Sequence, residues 1–143
     1  MNYEQARAYA VNVSRSGSIL GLDSIENLMH ELGDIQERLK IIHIAGTNGK
    51  GSTGAYLERV LIEAGYRVGR YSSPAVFDPM EVWRINLQSM SHEEYADIME
   101  QVKCACDRMV EKGMEHPTIF EVETAMAFLY FYQKKCDYVH GGE

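Results

Sequence analysis

The chain has 143 residues, 45% of them hydrophobic, about one domain's worth of material with enough apolar content for a buried core. A formal charge of −7 argues against a nucleic-acid footprint. The densest apolar run, Ala125 to Tyr132, falls far short of the roughly 20 residues that a membrane-spanning helix needs, and the N-terminus lacks the basic start and apolar stretch of a secretory signal, so the expectation is a cytoplasmic protein.

In chain order, the spacing of Tyr3, Ala6, Tyr9 and Val13 predicts a short helix over about 2–13, ended by the polar break Ser14-Arg15-Ser16-Gly17-Ser18. A second helix, capped by Ser24 and closed by Gly33, sets Ile25, Leu28, Met29 and Leu32 on one face. A first strand is expected over Leu39–Ala45. It runs into Gly46-Thr47-Asn48-Gly49-Lys50-Gly51-Ser52-Thr53, after which a helix to Ala64 buries Ala55, Leu57, Val60 and Leu61 and stops at Gly65. Tyr66–Tyr71 reads as a second strand, which makes a βαβ unit with parallel strands and a right-handed crossover.

Ser91 to Lys112 predicts a long helix with a Ser91/Glu94 capping box, an apolar face of Tyr95, Ile98, Met99, Val102, Cys106, Met109 and Val110, and Gly113 as its stop. Another helix starts near Thr118, boxed with Glu121, and is apolar nearly all round from Ala125 to Tyr132. Asp137-Tyr138-Val139 opens a third strand. Cys104, Cys106 and Cys136 are an odd number without a C-x-x-C pair, and the five histidines stand at no metal-ligand spacing.

The glycine-rich loop carries the chemistry. Strand, glycine turn with one lysine, then helix is the order that a triphosphate site requires: backbone N–H groups converge on phosphate oxygens, the helix adds its unpaired N–H groups, and Lys50 supplies a compact positive charge. The general pattern G-x-x-x-x-G-K-[ST] is not met, because Ile44 stands where the first glycine belongs and Gly51 follows the lysine. The bland alternative is a glycine-rich turn with a solvated lysine; three glycines at one strand-to-helix turn weaken it.

Gly46 to Thr53 resembles the ATP loop of the folylpolyglutamate synthase/dihydrofolate synthase family, relatives of the Mur ligases. The Gly51-Ser52 ending resembles the folate branch rather than the Mur group. Leu20-Gly21-Leu22-Asp23, Leu32-Gly33, Tyr71-Ser72-Ser73-Pro74 and Pro117-Thr118-Ile119-Phe120-Glu121-Val122-Glu123-Thr124-Ala125 resemble further family segments in family order. The resemblance implies an α/β fold with a Mur-ligase-like central parallel sheet and flanking helices, here the N-terminal part of the ATP-binding domain without the C-terminal glutamate-ligase domain. It also implies a monomeric, cytoplasmic ATP- and Mg2+-dependent ligase joining L-glutamate to a folate or dihydropteroate through an acyl phosphate, with no nucleic-acid or membrane partner.

Residue by residue, the resemblance assigns nucleotide binding to Gly46, Thr47, Asn48, Gly49, Lys50, Gly51, Ser52 and Thr53, with Lys50 catalytic, and a magnesium-ligand role to Ser73. Ser72-Ser73-Pro74 also reads simply as a turn. Glu121 is a candidate for the substrate, with its capping position an equal alternative; Asp78 is either an organiser of the substrate loop or a solvated aspartate.

The sequence departs from the family at Ala75, where histidine is usual, at Pro79-Met80-Glu81-Val82-Trp83, where an aromatic-Arg-Glu-Arg segment is usual, and at His140-Gly141-Gly142-Glu143, where an apolar strand would deliver a glutamate to magnesium. The isolated chain is therefore expected to lack ligase turnover. The competing readings are a Mur-type ligase segment and a non-catalytic nucleotide-binding or remnant protein.

Overall fold

The structure is a computed structural model that describes residues 1–16, 23–42, 50–73 and 75–142. The chain divides into two compact units, Met1–Glu37 with His92–Tyr130, and Arg38–Ser91 with Phe131–Glu143.

The first unit is helical. Helix α1 (Tyr3–Arg15) opens on a reciprocal cap in which the Asn2 side chain accepts from Gln5 N–H and the Gln5 side chain accepts from Asn2 N–H. It buries Ala6, Ala10 and Val13. The helix runs through Ser14 and Arg15, past the expected break. The hydroxyl of Ser14 donates to Val11 C=O (2.6 Å) and that of Ser16 to Asn12 C=O (3.1 Å), so these serines bond back onto the last turn instead of unwinding it.

Helix α2 (Asp23–Glu31) buries Leu28 and Met29. Its first residue is Asp23, so Ser24 lies inside the helix rather than capping it; Asp23 and Glu26 set negative charge at the positive end of the dipole. Gly33, at φ 92°, takes the left-handed conformation that closes the helix.

A long helix follows later in the chain, numbered α4 (His92–Glu111). It buries Tyr95, Ala96, Ile98, Met99, Val102, Ala105, Cys106 and Met109, whereas Val110, expected inside, is exposed. The apolar stripe is narrower than the sequence reading allowed, and Val110 lies past its edge. Helix α5 (Ile119–Gln133) carries the chain out of this unit, and Ala125, Met126, Ala127, Leu129, Tyr130 and Phe131 are all buried, as its all-round apolar pattern predicts.

The second unit holds a five-stranded sheet in the order β1-β5-β2-β3-β4. Its strands are β1 (Ile41–Ile42), β2 (Val68–Ser72), β3 (Trp83–Ile85), β4 (Gln88–Ser89) and β5 (Tyr138–Gly142), and helix α3 (Lys50–Glu63) joins β1 to β2. Residues 43–45 of the expected first strand lie outside the described set. β1 and β2 are both parallel to β5, which lies between them, so the βαβ unit spans one intervening strand.

The sheet is mixed, since β3 pairs antiparallel with β2, and β4 with β3. The β3–β4 hairpin was not expected, because its turn residues, Asn86 and Leu87, lack the glycine that usually marks a turn with two positive φ angles (47° and 71°). Asn86 secures it by exchange with β2: Val68 N–H donates to Asn86 Oδ1 (2.8 Å), and Asn86 N–H donates to Val68 C=O (2.9 Å).

Helix α3 corrects a second expectation. Val60 is 45% exposed, and the fully buried side chain is the charged Glu58. The Arg70 guanidinium on β2 and the His140 ring on β5, both near its Oε1, explain how a carboxylate takes a core position that periodicity alone assigns to an aliphatic residue.

Candidate functional site

The residues that sequence singles out for nucleotide chemistry fall in the second unit. Gly46, Thr47, Asn48 and Gly49 lie outside the described residues. Lys50 is the first residue of α3, and Gly51, Ser52 and Thr53 complete its first turn, where backbone N–H groups lack helical acceptors and the dipole is positive; their side chains are outside the described set. Ser73 immediately follows β2. The end of a parallel strand before a loop is the side on which α/β sheets receive ligands.

The loop after Ser73 is organised by its own carboxylates. Asp78 caps a 3-10 turn over Pro79–Val82, with its Oδ1 accepting from Met80 N–H at 2.9 Å. Glu81 Oε1 accepts from the N–H groups of Val76 (2.8 Å), Phe77 (2.5 Å) and Asp78 (3.0 Å), while Oε2 accepts from Arg84 Nη2 (2.9 Å). The backbone hydrogen bonds from Phe77, Asp78 and Val76, aided by the Arg84 charge, hold the Glu81 carboxyl below its ordinary pKa. This tethering leaves Val76 and Phe77 outside, Phe77 at 92% exposure. Asp78 thus has a structural task in the loop it was expected to organise.

Beside this loop lies a cavity of about 200 Å³ lined by Arg70, Ser72, Val76, Glu81 and Arg84. Arg70 and Arg84 are register partners across the β2–β3 pair, and Arg70 and His140 across the β2–β5 pair. Side chains of register partners share a sheet face. Glu58 comes up from α3 on that face, with Oε1 3.6 Å from Arg70 Nη1 and 3.3 Å from His140 Nε2. Among the described residues, neither Glu58 oxygen, nor Arg70 Nε, nor His140 Nε2 has a hydrogen-bond partner. Sequence reading passed over Arg70 and Glu58 and took His140 only as a departure from the family; the available signal was a charged or polar residue at a strand or helix position that should face the core.

Glu121 belongs to the first unit and is described there. Its Oε1 accepts from Thr118 N–H (2.8 Å) and from the Thr118 hydroxyl (3.0 Å), and Glu121 N–H donates to Thr118 Oγ1 (3.3 Å). This is the reciprocal cap that sequence predicts, on a buried carboxylate. The neighbouring Phe120 is 64% exposed.

Among the described residues no group of three or more His, Cys, Asp or Glu side chains could hold a metal ion. For a magnesium ion they offer the hydroxyl of Ser73 without a carboxylate cluster, and Glu143 lies outside them. No described helix is long and apolar enough to cross a membrane.

No family model matches the chain. Among characterised proteins, the dihydrofolate synthase/folylpolyglutamate synthase of Bacillus subtilis is 37% identical over 138 residues, covering 96% of this chain and 32% of that protein. The folylpolyglutamate synthase of Lacticaseibacillus casei is 31% identical, with the same coverage of 96% and 32%. Among solved structures, the folylpolyglutamate synthase of Thermotoga maritima superposes with a TM-score of 0.85 at 35% identity, covering 97% of this chain and 32% of that one. An FPGS–AMPPCP–folate complex gives 0.86 at 31% identity, covering 98% and 34%. The chain therefore spans about a third of the length of the relatives it matches. Along the 96% of its length that aligns with them, the chain is similar to proteins of the folylpolyglutamate synthase/dihydrofolate synthase family.

Proposed function

We propose that this chain carries the nucleotide-binding portion of an ATP-dependent ligase that joins L-glutamate to a folate or to dihydropteroate, and that residues 1–143 correspond to the N-terminal part of its ATP-binding domain. The observation that carries the reading is the start of α3 at Lys50, directly after the glycine-rich loop and in the same unit as Ser73 at the end of β2. The complexes of similar proteins with AMPPCP, with and without folate, support ATP as the nucleotide.

In this reading the amides of Gly46 to Gly49 and the first turn of α3 cradle the phosphates, and Lys50 stabilises charge on the outer one. The substrate carboxylate attacks the γ-phosphorus, the bond to ADP breaks, and the acyl phosphate then has a good leaving group. The glutamate amine attacks that carbonyl, loses a proton, and expels phosphate. Magnesium would add positive charge to the phosphates; Ser73 is the residue proposed to meet it.

The test is ATP binding by the 143-residue chain, followed by tryptophan fluorescence or calorimetry. Binding that is weakened at least tenfold by Lys50→Ala is expected. A folded chain that ignores millimolar ATP would reject this reading in favour of the remnant one. ADP formation on the isolated chain that requires both a folate and glutamate would overturn the further expectation that these residues alone do not turn over.

A further inference from the structure

We propose that the cavity beside β2 is a carboxylate subsite in which Arg70, backed by the buried Glu58, is the main contact and Arg84 the second. It rests on the ligase reading insofar as the occupant is taken to be a carboxylate of one of that enzyme's substrates.

Arg70 and Arg84 are register partners on one sheet face and both line the cavity. Two guanidinium groups so close repel unless anions flank them. Each has one carboxylate beside it, but the two carboxylates differ. Glu81 is saturated, with one oxygen given to three backbone N–H groups and the other to Arg84. Glu58 is fully buried and stands 3.6 Å from Arg70, beyond hydrogen-bond reach, with its nearer oxygen shared with His140. Arg70 is thus oriented from its buried side while its guanidinium makes no hydrogen bond among the described residues; its side chain keeps 22% exposure, and it reaches the cavity wall.

The charged groups on the wall are two arginines and Glu81, a net of one positive charge. That balance suits a monoanionic carboxylate, which a planar guanidinium fork engages with two parallel hydrogen bonds. The fields of Glu81 and Glu58 act on any anion, and repel a phosphate dianion about twice as strongly as a monoanionic carboxylate. Ser72 adds a hydroxyl on the same wall, and Val76 an apolar surface for the carbon skeleton of the acid.

The test is an NMR titration of the 15N-labelled 143-residue chain with glutarate, benzoate and inorganic phosphate in separate arms. Shifts confined to residues 70–72, 76 and 81–85 with either carboxylate support the subsite, and the tighter of the two probes tells an aliphatic source from an aryl one. Arg70→Lys keeps the charge opposite Glu58 but loses the fork, and is expected to weaken carboxylate binding at least fivefold; where it does not fold, Arg84→Gln is read the same way. Tighter binding of phosphate than of either acid, unchanged carboxylate affinity in the folded variant, or no shift at these residues overturns the proposal. ATP titrated into the same sample reports separately on residues 50–53: carboxylate binding without ATP binding rejects the ligase reading and upholds the subsite, and the converse rejects the subsite alone.

Discussion

The ring of Phe131 occupies the space that a side chain on Gly69 would need: a Cβ added there would lie 2.6 Å from Cδ1, 2.7 Å from Cγ and 3.0 Å from Cε1. Phe131 is fully buried, so the ring has no free volume to move into. Gly69 also lies in mid-strand between β5 and β3, paired in register with Val139 and Ile85, which prevents β2 from backing away. Gly69→Ala is expected to destabilise the second unit by about 1–3 kcal/mol through overpacking. Urea unfolding followed at Trp83, which lies in that unit, measures it; a shift under about 0.3 kcal/mol would show that the ring yields.

The cap at α5 separates two roles for Glu121. Glu121→Ala removes the acceptor for Thr118 N–H and should cost about 0.3–1.5 kcal/mol, the usual worth of such a cap. Glu121→Gln keeps a carbonyl oxygen in place and should recover most of that loss. If the carboxylate serves the cap alone, the glutamine variant and the native protein should bind substrate equally well. A folded Glu121→Gln chain that loses folate affinity tenfold, measured by fluorescence quenching, would return Glu121 to the substrate site.

The Glu81 carboxylate sets the acid limit of the loop after Ser73. Its pKa in the folded chain is depressed, chiefly by the Phe77 and Asp78 N–H groups. Its contribution is therefore fully present above its ordinary value of 4.5 and is lost as pH falls through the lower, folded value. Amide shifts of Val76, Phe77 and Asp78 should titrate together below that value. In Glu81→Gln they should not titrate, and the loop should show faster hydrogen exchange at neutral pH. A loop that titrates in the variant as in the native chain would assign the transition to another group.

Much of the helical architecture was legible in the sequence because it rests on local rules. The Thr118/Glu121 box, the left-handed glycines after α2, α3 and α4, and the all-round apolar α5 each follow from residues within a few positions of one another. What was not legible depends on partners distant in sequence. Glu58 is a surface residue by composition and a core residue only because Arg70 and His140 reach it from two strands. The β3–β4 hairpin closes on Asn86, whose turn is held by Val68 rather than by a glycine beside it. For the candidate site, the glycine-rich loop was legible as a motif, but the Arg70–Arg84 cavity was not, since it needs the β2–β3 register to exist.

The cysteines give a readout of both units in one experiment. Cys104 is exposed, whereas burial pushes the Cys106 and Cys136 thiols up to about 12 from an ordinary 9.0. For Cys106 the Tyr9 hydrogen bond and Lys103 charge oppose that rise, and for Cys136 the Arg67 charge does, without cancelling it. Since the thiolate is the nucleophile, Cys104 should be alkylated by iodoacetamide at pH 8 at least tenfold faster than the other two. The sign of the pH effect follows from the same raised values. Unfolded thiols ionise near 9 while the folded ones stay protonated, so the contribution is full below pH 9 and declines as pH climbs toward 12. Cys106 reports the first unit and Cys136 the second. Protection of both that vanishes at one urea concentration means that the units unfold together; protection lost in two steps means that they unfold separately. Equal labelling of all three cysteines in buffer, resolved by peptide mass spectrometry, would contradict the burial of Cys106 and the partial burial of Cys136.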